Sequence, residues 1–296
     1  MTQTLLQDPS VFPAGKSLEN YENSISKGRK HAQKQRVVIC GLARNLANIL
    51  PHTLKQIEEI ASLFADYRIV IYENDSTDST LDILYTFQKK NPKLHVISEK
   101  LGDPVNRSIR CLERTSRMAR YRNRYREFVD KQFPDFDYAL VMDMDLPGEV
   151  SCEGVAHTFG QDDWDFTGAN GIIRKRGVFT EQLLHYDAWA FRRFGSFEAI
   201  STREVNHFFW RAGDPLVPVF SCFGGLGIYR MEAMKCCFYE GGDCEHVPLH
   251  RQMREKGLNR LFMNPSQITD YGVRYSRFIR NTRKLLRIET PSPLNT

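Results

Sequence analysis

Long apolar runs are missing from this sequence: nowhere do the roughly 20 consecutive apolar residues of a membrane span occur. The stretch from Met1 to Gln35 also has no apolar core of signal-peptide length. A cytoplasmic protein is the expectation, one that would meet any lipid-linked substrate from the aqueous side. No CxxC pair is present. The seven cysteines, Cys40, Cys111, Cys152, Cys222, Cys236, Cys237 and Cys244, are odd in number and scattered. That pattern suggests neither a zinc site nor a disulfide framework, so reduced thiols are expected. The GxGxxG turn and the Walker loop are absent too, which argues against dinucleotide cofactors and ATPase chemistry.

What the sequence does hold is enough apolar material for a core. Of 296 residues, 41 % are hydrophobic and 11 % aromatic, well above a disordered chain. The net charge of +5, from 41 basic and 36 acidic residues, is mild; its placement is more informative.

Arg36 to Gly41 and Tyr67 to Tyr72 are short β-branched runs that predict buried strands. Leu94 to Ile97 and Tyr138 to Met142 predict two more. Between them, apolar residues from Leu46 to Phe64 and from Thr80 to Lys90 recur at helical spacing, and Ser108 to Phe133 predicts a long arginine-heavy helix. Strands alternating with helices imply an α/β fold: a single Rossmann-like domain with a mostly parallel central sheet flanked by helices. The expected layout is a flexible or loosely docked arm over residues 1–35, the domain over 36–275, and a basic amphipathic tail over 276–296. Near that tail, Arg274, Arg277, Arg280, Arg283, Lys284 and Arg287 alternate with Phe278, Ile279, Leu285, Leu286 and Ile288. Such a segment can lie on an anionic membrane surface or pack on the domain.

In open α/β sheets, ligands collect off the carboxyl ends of the strands. Asp143 and Asp145 stand there, two residues apart, so both carboxylates can face the same way. Two like charges that close call for a divalent cation, and Mn²⁺ or Mg²⁺ shared with substrate phosphates fits. The alternative is a solvated pair opening a loop. Glu73 and Asp75 follow the second strand, where short acids can bind a base or ribose, while Asp78 or Ser79 suits the next helix cap. Arg44, after the first strand, suits a diphosphate.

Eight arginines fall between Arg107 and Arg126, with Arg110, Arg114, Arg117 and Arg120 along one helical stripe. The stripe would attract phosphates. An RNA reading needs aromatic platforms, and only Tyr121 and Tyr125 lie within the stretch, so no nucleic acid is expected. The rival to an enzyme is a non-catalytic basic module that binds nucleic acid or anionic headgroups through these arginines.

Glu245 and His246 follow Gly241-Gly242-Asp243, a loop signal. Glu245 can serve as a catalytic carboxylate, and His246 or His250 can complete a metal shell, although a hydrogen-bonded role suits His250 better. Asp187 and Trp189 can form an acceptor subsite, an indole face for the sugar ring and a carboxylate for its hydroxyls; a core tryptophan is the plainer reading. Gly224 and Gly225 allow close backbone approach to an acceptor, or a tight turn.

Several of these segments occur in an order that resembles the cryptococcal mannosyltransferase family, the capsule-associated α-1,3-mannosyltransferases. They are Tyr72 to Thr80; Arg117-Met118-Ala119-Arg120-Tyr121-Arg122-Asn123; Tyr186 to Arg192; Pro218 to Gly225; and Cys244-Glu245-His246 with Met263-Asn264-Pro265. The resemblance runs over about residues 36–275. It implies a GT-A fold, a nucleoside-diphosphate sugar donor linked to UDP or GDP, a glycan or glycolipid acceptor, and a place in polysaccharide synthesis. It also implies Asp75 near the base and ribose, Arg117 and Asn123 near the donor, and Asp143 and Asp145 at the metal and diphosphate. The family's Asn-Asp-Val metal segment is Asp143-Met144-Asp145 here, and its Trp-Asn-Gly turn is Phe223-Gly224-Gly225.

Overall fold

The computed structural model describes residues 18–106, 110–177, 181–208 and 210–275. The chain runs α1 (Leu18–Ala32), β1 (Arg36–Ala43), α2 (Leu50–Ala61), β2 (Asp66–Asn74), α3 (Thr80–Lys90) and β3 (Leu94–Glu99). It continues through α4 (Leu112–Gln132), β4 (Tyr138–Met142), α5 (Cys152–Phe159), β5 (Phe166–Arg176), β6 (Glu181–His185) and β7 (Arg192–Arg193). It closes with α6 (Thr202–Val205), β8 (Val217–Ser221), β9 (Leu226–Arg230), α7 (Met231–Cys236), α8 (His246–Glu255) and β10 (Leu261–Tyr275). The strands form one sheet in the order β3-β2-β1-β4-β9-β5-β10-β8-β7, with β6 paired to β5.

The first half is the parallel arrangement the alternation predicts: β1 pairs in parallel with β2 and β4, and β2 with β3. All four strands therefore release their loops at one edge. Beyond β4 the sheet becomes mixed. β9 is antiparallel to both β4 and β5, whereas β10 runs parallel to β5.

Apolar cores cover both faces. Ile39, Ile69, Ile71 and Leu140 meet Leu54, Ile57 and Ile60 of α2 on one side. Val38, Val70, Val141 and Tyr229 meet Ala119, Tyr125 and Val129 of α4 on the other. Alternate residues of one strand thus enter opposite cores, and each buried aliphatic side chain contributes on the order of 1.5–3 kcal/mol. In α4 the buried stripe is Thr115, Ala119, Arg122, Tyr125 and Val129, at spacings of three and four.

The expected loosely docked arm needs correcting from Leu18 onward. α1 lies against α5 so closely that a Cβ on Gly28 would stand 1.7 Å from the Ala156 carbonyl oxygen, and one on Gly160 would stand 2.0 Å from that of Ser24. Tyr21 is buried in this contact. Polar composition hid the docking because the close approach at Gly28 and Gly160 is joined by Tyr21 and His31 against His157 and Phe159 rather than by an aliphatic stripe. The basic tail after Tyr275 lies outside the described residues, apart from Arg274. Among the described residues no helix is long and apolar enough to cross a membrane.

Candidate active site

A cleft of about 490 Å³ opens at the carboxyl edge of the parallel strands. It is lined by residues 42–46, Asn48 and Ile49 at the end of β1 and just past it, with Asn74 of β2, and by Tyr186, Asp187, Trp189, Phe223, Glu245 and His246 from later connections. Asp143 and Asp145, just past β4, line it as well, with Arg114, Met118 and Arg122 of α4. The expected convergence of Asp143, Asp145, Asp187, Trp189, Glu245, His246 and Arg44 on one cavity is what the fold produces.

Asp143 is fixed from three directions. Its backbone N–H donates to the Gly225 carbonyl at 2.9 Å. Its Oδ2 accepts from the Tyr271 hydroxyl at 2.6 Å, and its Oδ1 lies 3.5 Å from Arg122 Nη2. Arg122 also donates through Nε to Glu245 Oε1 at 2.8 Å and lies over the Phe223 ring at 5.2 Å. The two side chains of the Arg122–Glu245 pair are only 4 % and 7 % exposed, so this charge is built into the core. Burial raises the Asp143 carboxyl, while Arg122 and Tyr271 pull it back down. Asp145 has less compensation: burial and the neighbouring Asp143 charge push it up to about 7.

Asp187 sits in the left-handed region, at φ 63°, and accepts from Gly224 N–H at 3.3 Å. Burial, then the charges of Asp143 and Glu245, push it up to about 7. Gly224 and Gly225 also have positive φ, and a Cβ on them would meet the Ala169 carbonyl oxygen at 2.1 Å and the Tyr271 hydroxyl at 2.4 Å. The pair thus shapes the cleft through its backbone, one peptide holding Asp187 and the next holding Asp143, where direct acceptor contact was expected.

His246 is the first residue of α8, with Glu245 at the N-cap. Its ring stacks on Phe223, Nδ1 lies 3.3 Å from the Tyr229 hydroxyl, and burial keeps the imidazole well below its usual range, hence neutral. Its Nε2 is buried without a hydrogen-bond partner. A neutral imidazole with one free nitrogen suits a metal ligand. His250 instead spends both nitrogens on Ser221 and Tyr229, as its hydrogen-bonded reading predicts. Among the described residues no three His, Cys, Asp or Glu side chains stand close enough to hold a metal unaided. One or two carboxylates with substrate phosphates is the usual arrangement for Mg²⁺. The two carboxylates of Asp143 and Asp145 fit that pattern, and His246 lines the same cleft.

Other expected donor residues serve the walls. Glu73 Oε1 accepts from Ser76 N–H at 2.8 Å and its Oε2 from the Ser98 hydroxyl at 2.5 Å. Asp75, at φ 54°, accepts from the backbone N–H groups of Leu101, Gly102 and Asp103 at 2.8, 2.9 and 3.2 Å. Those bonds outweigh its desolvation and lower it to about 2. Arg44 donates to the carbonyls of Asp103 and Pro104 at 2.6 and 3.1 Å, tying the same loop to β1. Asp78 caps α3 by accepting from Thr80 N–H at 3.0 Å.

Two expectations fail geometrically. Asn123 points away from the cleft and exchanges both amide groups with the Tyr239 backbone, at 2.8 and 2.9 Å. Arg117 is bound to Asn106 at 2.8 Å and does not line the cavity. The arginine stripe is also not free along its length, since Arg120 pairs with Asp103. Conversely, sequence reasoning passed over Arg122 and Tyr271. A hint for Arg122 was an arginine on the apolar stripe of an amphipathic helix; Tyr271 had none.

No family model matches this chain, and no curated protein matches it by sequence. Among solved structures, GalNAc-T7 with UDP, GalNAc and Mn²⁺ matches at a TM-score of 0.51 and 12 % identity over 82 % of this chain and 45 % of that one. The chain therefore spans less than half the length of that protein. The mannosyltransferase PcManGT from Pyrobaculum calidifontis, with GDP-Man and Mn²⁺, matches at 0.47 and 11 % identity over 93 % and 75 % of the two chains. Glucosyl-3-phosphoglycerate synthase from Mycobacterium tuberculosis, with UDP, matches at 0.45 and 15 % identity over 86 % and 76 %. Sheet order, cleft position and the first of these matches together give the chain the GT-A fold, a single α/β domain with a mostly parallel central sheet between helices.

Proposed function

We propose that this protein is a glycosyltransferase that moves a sugar from a UDP- or GDP-linked donor to a hydroxyl of a glycan or glycolipid acceptor, with Mn²⁺ or Mg²⁺ bound. The observation that carries this reading is the pair Asp143 and Asp145 in a cleft that Asp187, Trp189 and Glu245 also line. The structural match to a protein solved with UDP, GalNAc and Mn²⁺ agrees with it.

Asp143 and Asp145 would hold the metal together with the phosphates of the donor; His246, offered as a third ligand by the sequence, is not grouped with them. When bound, the metal supplies positive charge against the departing diphosphate. The segment from Leu42 to Ile49 with Asn74 takes the nucleoside; Arg44 and Asp75 support it by fixing the loop at 101–104. Trp189 offers a ring face to the acceptor sugar. Among the described residues Asp187 has no ion-pair partner, so it takes the proton from the acceptor hydroxyl while the new glycosidic bond forms and the bond to diphosphate breaks. Glu245, held by Arg122, positions the acceptor and stabilises positive charge on the sugar.

The family resemblance favours mannose as the sugar and polysaccharide synthesis as the setting; a peripheral membrane contact through the tail belongs to the same reading. The test is a thermal-shift screen of UDP and GDP with and without Mn²⁺, then donor hydrolysis over a panel of nucleotide sugars. Stabilisation that requires the metal, lost in folded Asp143→Ala and Asp145→Ala, is the expected result. Turnover that survives a chelator overturns the metal assignment; stabilisation by oligonucleotide instead favours the basic-module rival.

A further inference from the structure

Seven described arginines lie between 110 and 126, and five of them are used within the fold. Arg117 binds Asn106, Arg120 binds Asp103, Arg122 binds Glu245, Arg124 binds Glu99, and Arg126 binds the Met234 carbonyl. Arg110 and Arg114 differ: neither forms an ion pair with an acid among the described residues. Both lie instead over one aromatic ring, that of Trp189, with their guanidinium carbons 5.5 and 5.0 Å from its centroid. Arg114 and Trp189 line the cleft, and Arg114 Nε is buried with no hydrogen-bond partner.

Two guanidiniums at one indole repel each other, and the indole's quadrupole offsets only part of that cost. Their position is a poor one for cations in another respect. Arg110 and Arg114 flank the start of α4, where the helix dipole already presents positive charge. The helix's first-turn acid, Glu113, has Arg117 as its charge neighbour. An anion held between Arg110 and Arg114 would meet the unused Nε–H, both guanidiniums and the helix end at once, and a ring attached to it would lie on Trp189.

We propose that Arg110, Arg114 and Trp189 form a subsite for an acidic acceptor, a sugar that carries a carboxylate or a phosphate. The assignment of this ligand to the acceptor rests on the glycosyltransferase reading above. It follows from Trp189 lining the cleft with Asp187 and Phe223, from connections separate from the β1 end at residues 42–49. The competing source of anionic charge is the donor's own diphosphate, since Arg114 is near enough to Asp145 to lower its carboxyl.

Ligand-observed NMR titrations separate the two. Glucuronate, glucose 6-phosphate and glucose are each titrated into the full chain with Mn²⁺, with and without UDP or GDP; the nucleotides are titrated separately. The expected result is that at least one acidic sugar binds about tenfold or more tightly than glucose, the worth of one charge-assisted hydrogen bond. The Arg110→Gln/Arg114→Gln double variant should lose that preference while its nucleoside diphosphate affinity stays within about twofold. Trp189→Phe should keep the preference, and Trp189→Ala should weaken all three sugars alike. Equal or absent binding of the acidic sugars overturns the proposal. So does a double variant that keeps the preference and loses nucleotide affinity, which would give these arginines to the diphosphate. Failure of wild-type protein to bind either nucleotide with metal would sink the donor assignment alone, leaving the anion preference to be read on its own.

Discussion

Arg122 offers the sharpest test of how the site is held together. Arg122→Met fills a similar volume but removes the cation between Glu245 and Asp143, whose side chains are 7 % and 18 % exposed. Asp143 keeps the Tyr271 hydroxyl, whereas the Nε bond to Glu245 has no replacement. Breaking a buried pair by removing one partner costs about 3–5 kcal/mol, because the remaining charge stays desolvated. For a chain of this size that lowers Tm by roughly 6–10 °C. The stranded carboxylates will take up protons more readily in the folded state, so the deficit should be larger at pH 8 than at pH 5. Melts followed by circular dichroism in metal-free buffer measure it. Adding Glu245→Leu should recover most of the loss, since an apolar pair of similar volume avoids the desolvation cost, and Arg122→Lys should fall between because it keeps charge without the planar fork. A loss below about 1 kcal/mol for Arg122→Met, or a double variant no better than the single, would refute this account of the buried pair.

Further outcomes follow from other parts of the molecule. Asp187 has a folded value of about 7, above its ordinary 3.8, so the native state retains a proton that the unfolded chain has released. Its contribution to stability is therefore lost as pH rises from about 4 through 7, and Asp187→Asn should melt higher than wild type at pH 8 but not at pH 4. In activity, wild-type transfer should rise as pH passes through about 7, and a flat profile there would remove Asp187 as the base. Asp75→Ala leaves three loop N–H groups without their acceptor; it should cost about 1–2 kcal/mol and speed amide exchange at Leu101, Gly102 and Asp103. Gly28→Leu should undock α1 from α5 at a cost of about 1–3 kcal/mol or more, visible as loss of protection in α1 while the cleft keeps its nucleotide response.

The parallel half of the fold was readable because each strand is a compact β-branched run and each helix a periodic one. The predicted limits of α3 and β4, Thr80 to Lys90 and Tyr138 to Met142, are those observed. Strand ends then marked Asp143 and Asp145 by position alone. The antiparallel additions β6 to β9 were not readable, since β6 and β7 hold no β-branched residue and Pro218 and Gly227 interrupt β8 and β9. Arg122 and Tyr271 were missed because their partners lie 123 and 128 residues away. Asn123 was misplaced for a local reason. It follows Arg122 on a helix, where successive side chains differ by about 100° around the axis, so the two cannot share a face. Glu73 and Asp75 were expected at the base and ribose; neither lines the cleft, and their hydrogen bonds go to Ser76, Ser98 and the backbone at Leu101 to Asp103.

The direction change at β9 separates the chain's two tasks along its length. The cleft residues from the ends of β1, β2 and β4 all precede residue 146, and β9 braces them by pairing with β4. Tyr186, Asp187, Trp189, Phe223, Glu245 and His246 come to the same cleft from later connections. On the proposed reading, substitutions after residue 185 would therefore act on the acceptor first, and substitutions before residue 146 on the donor.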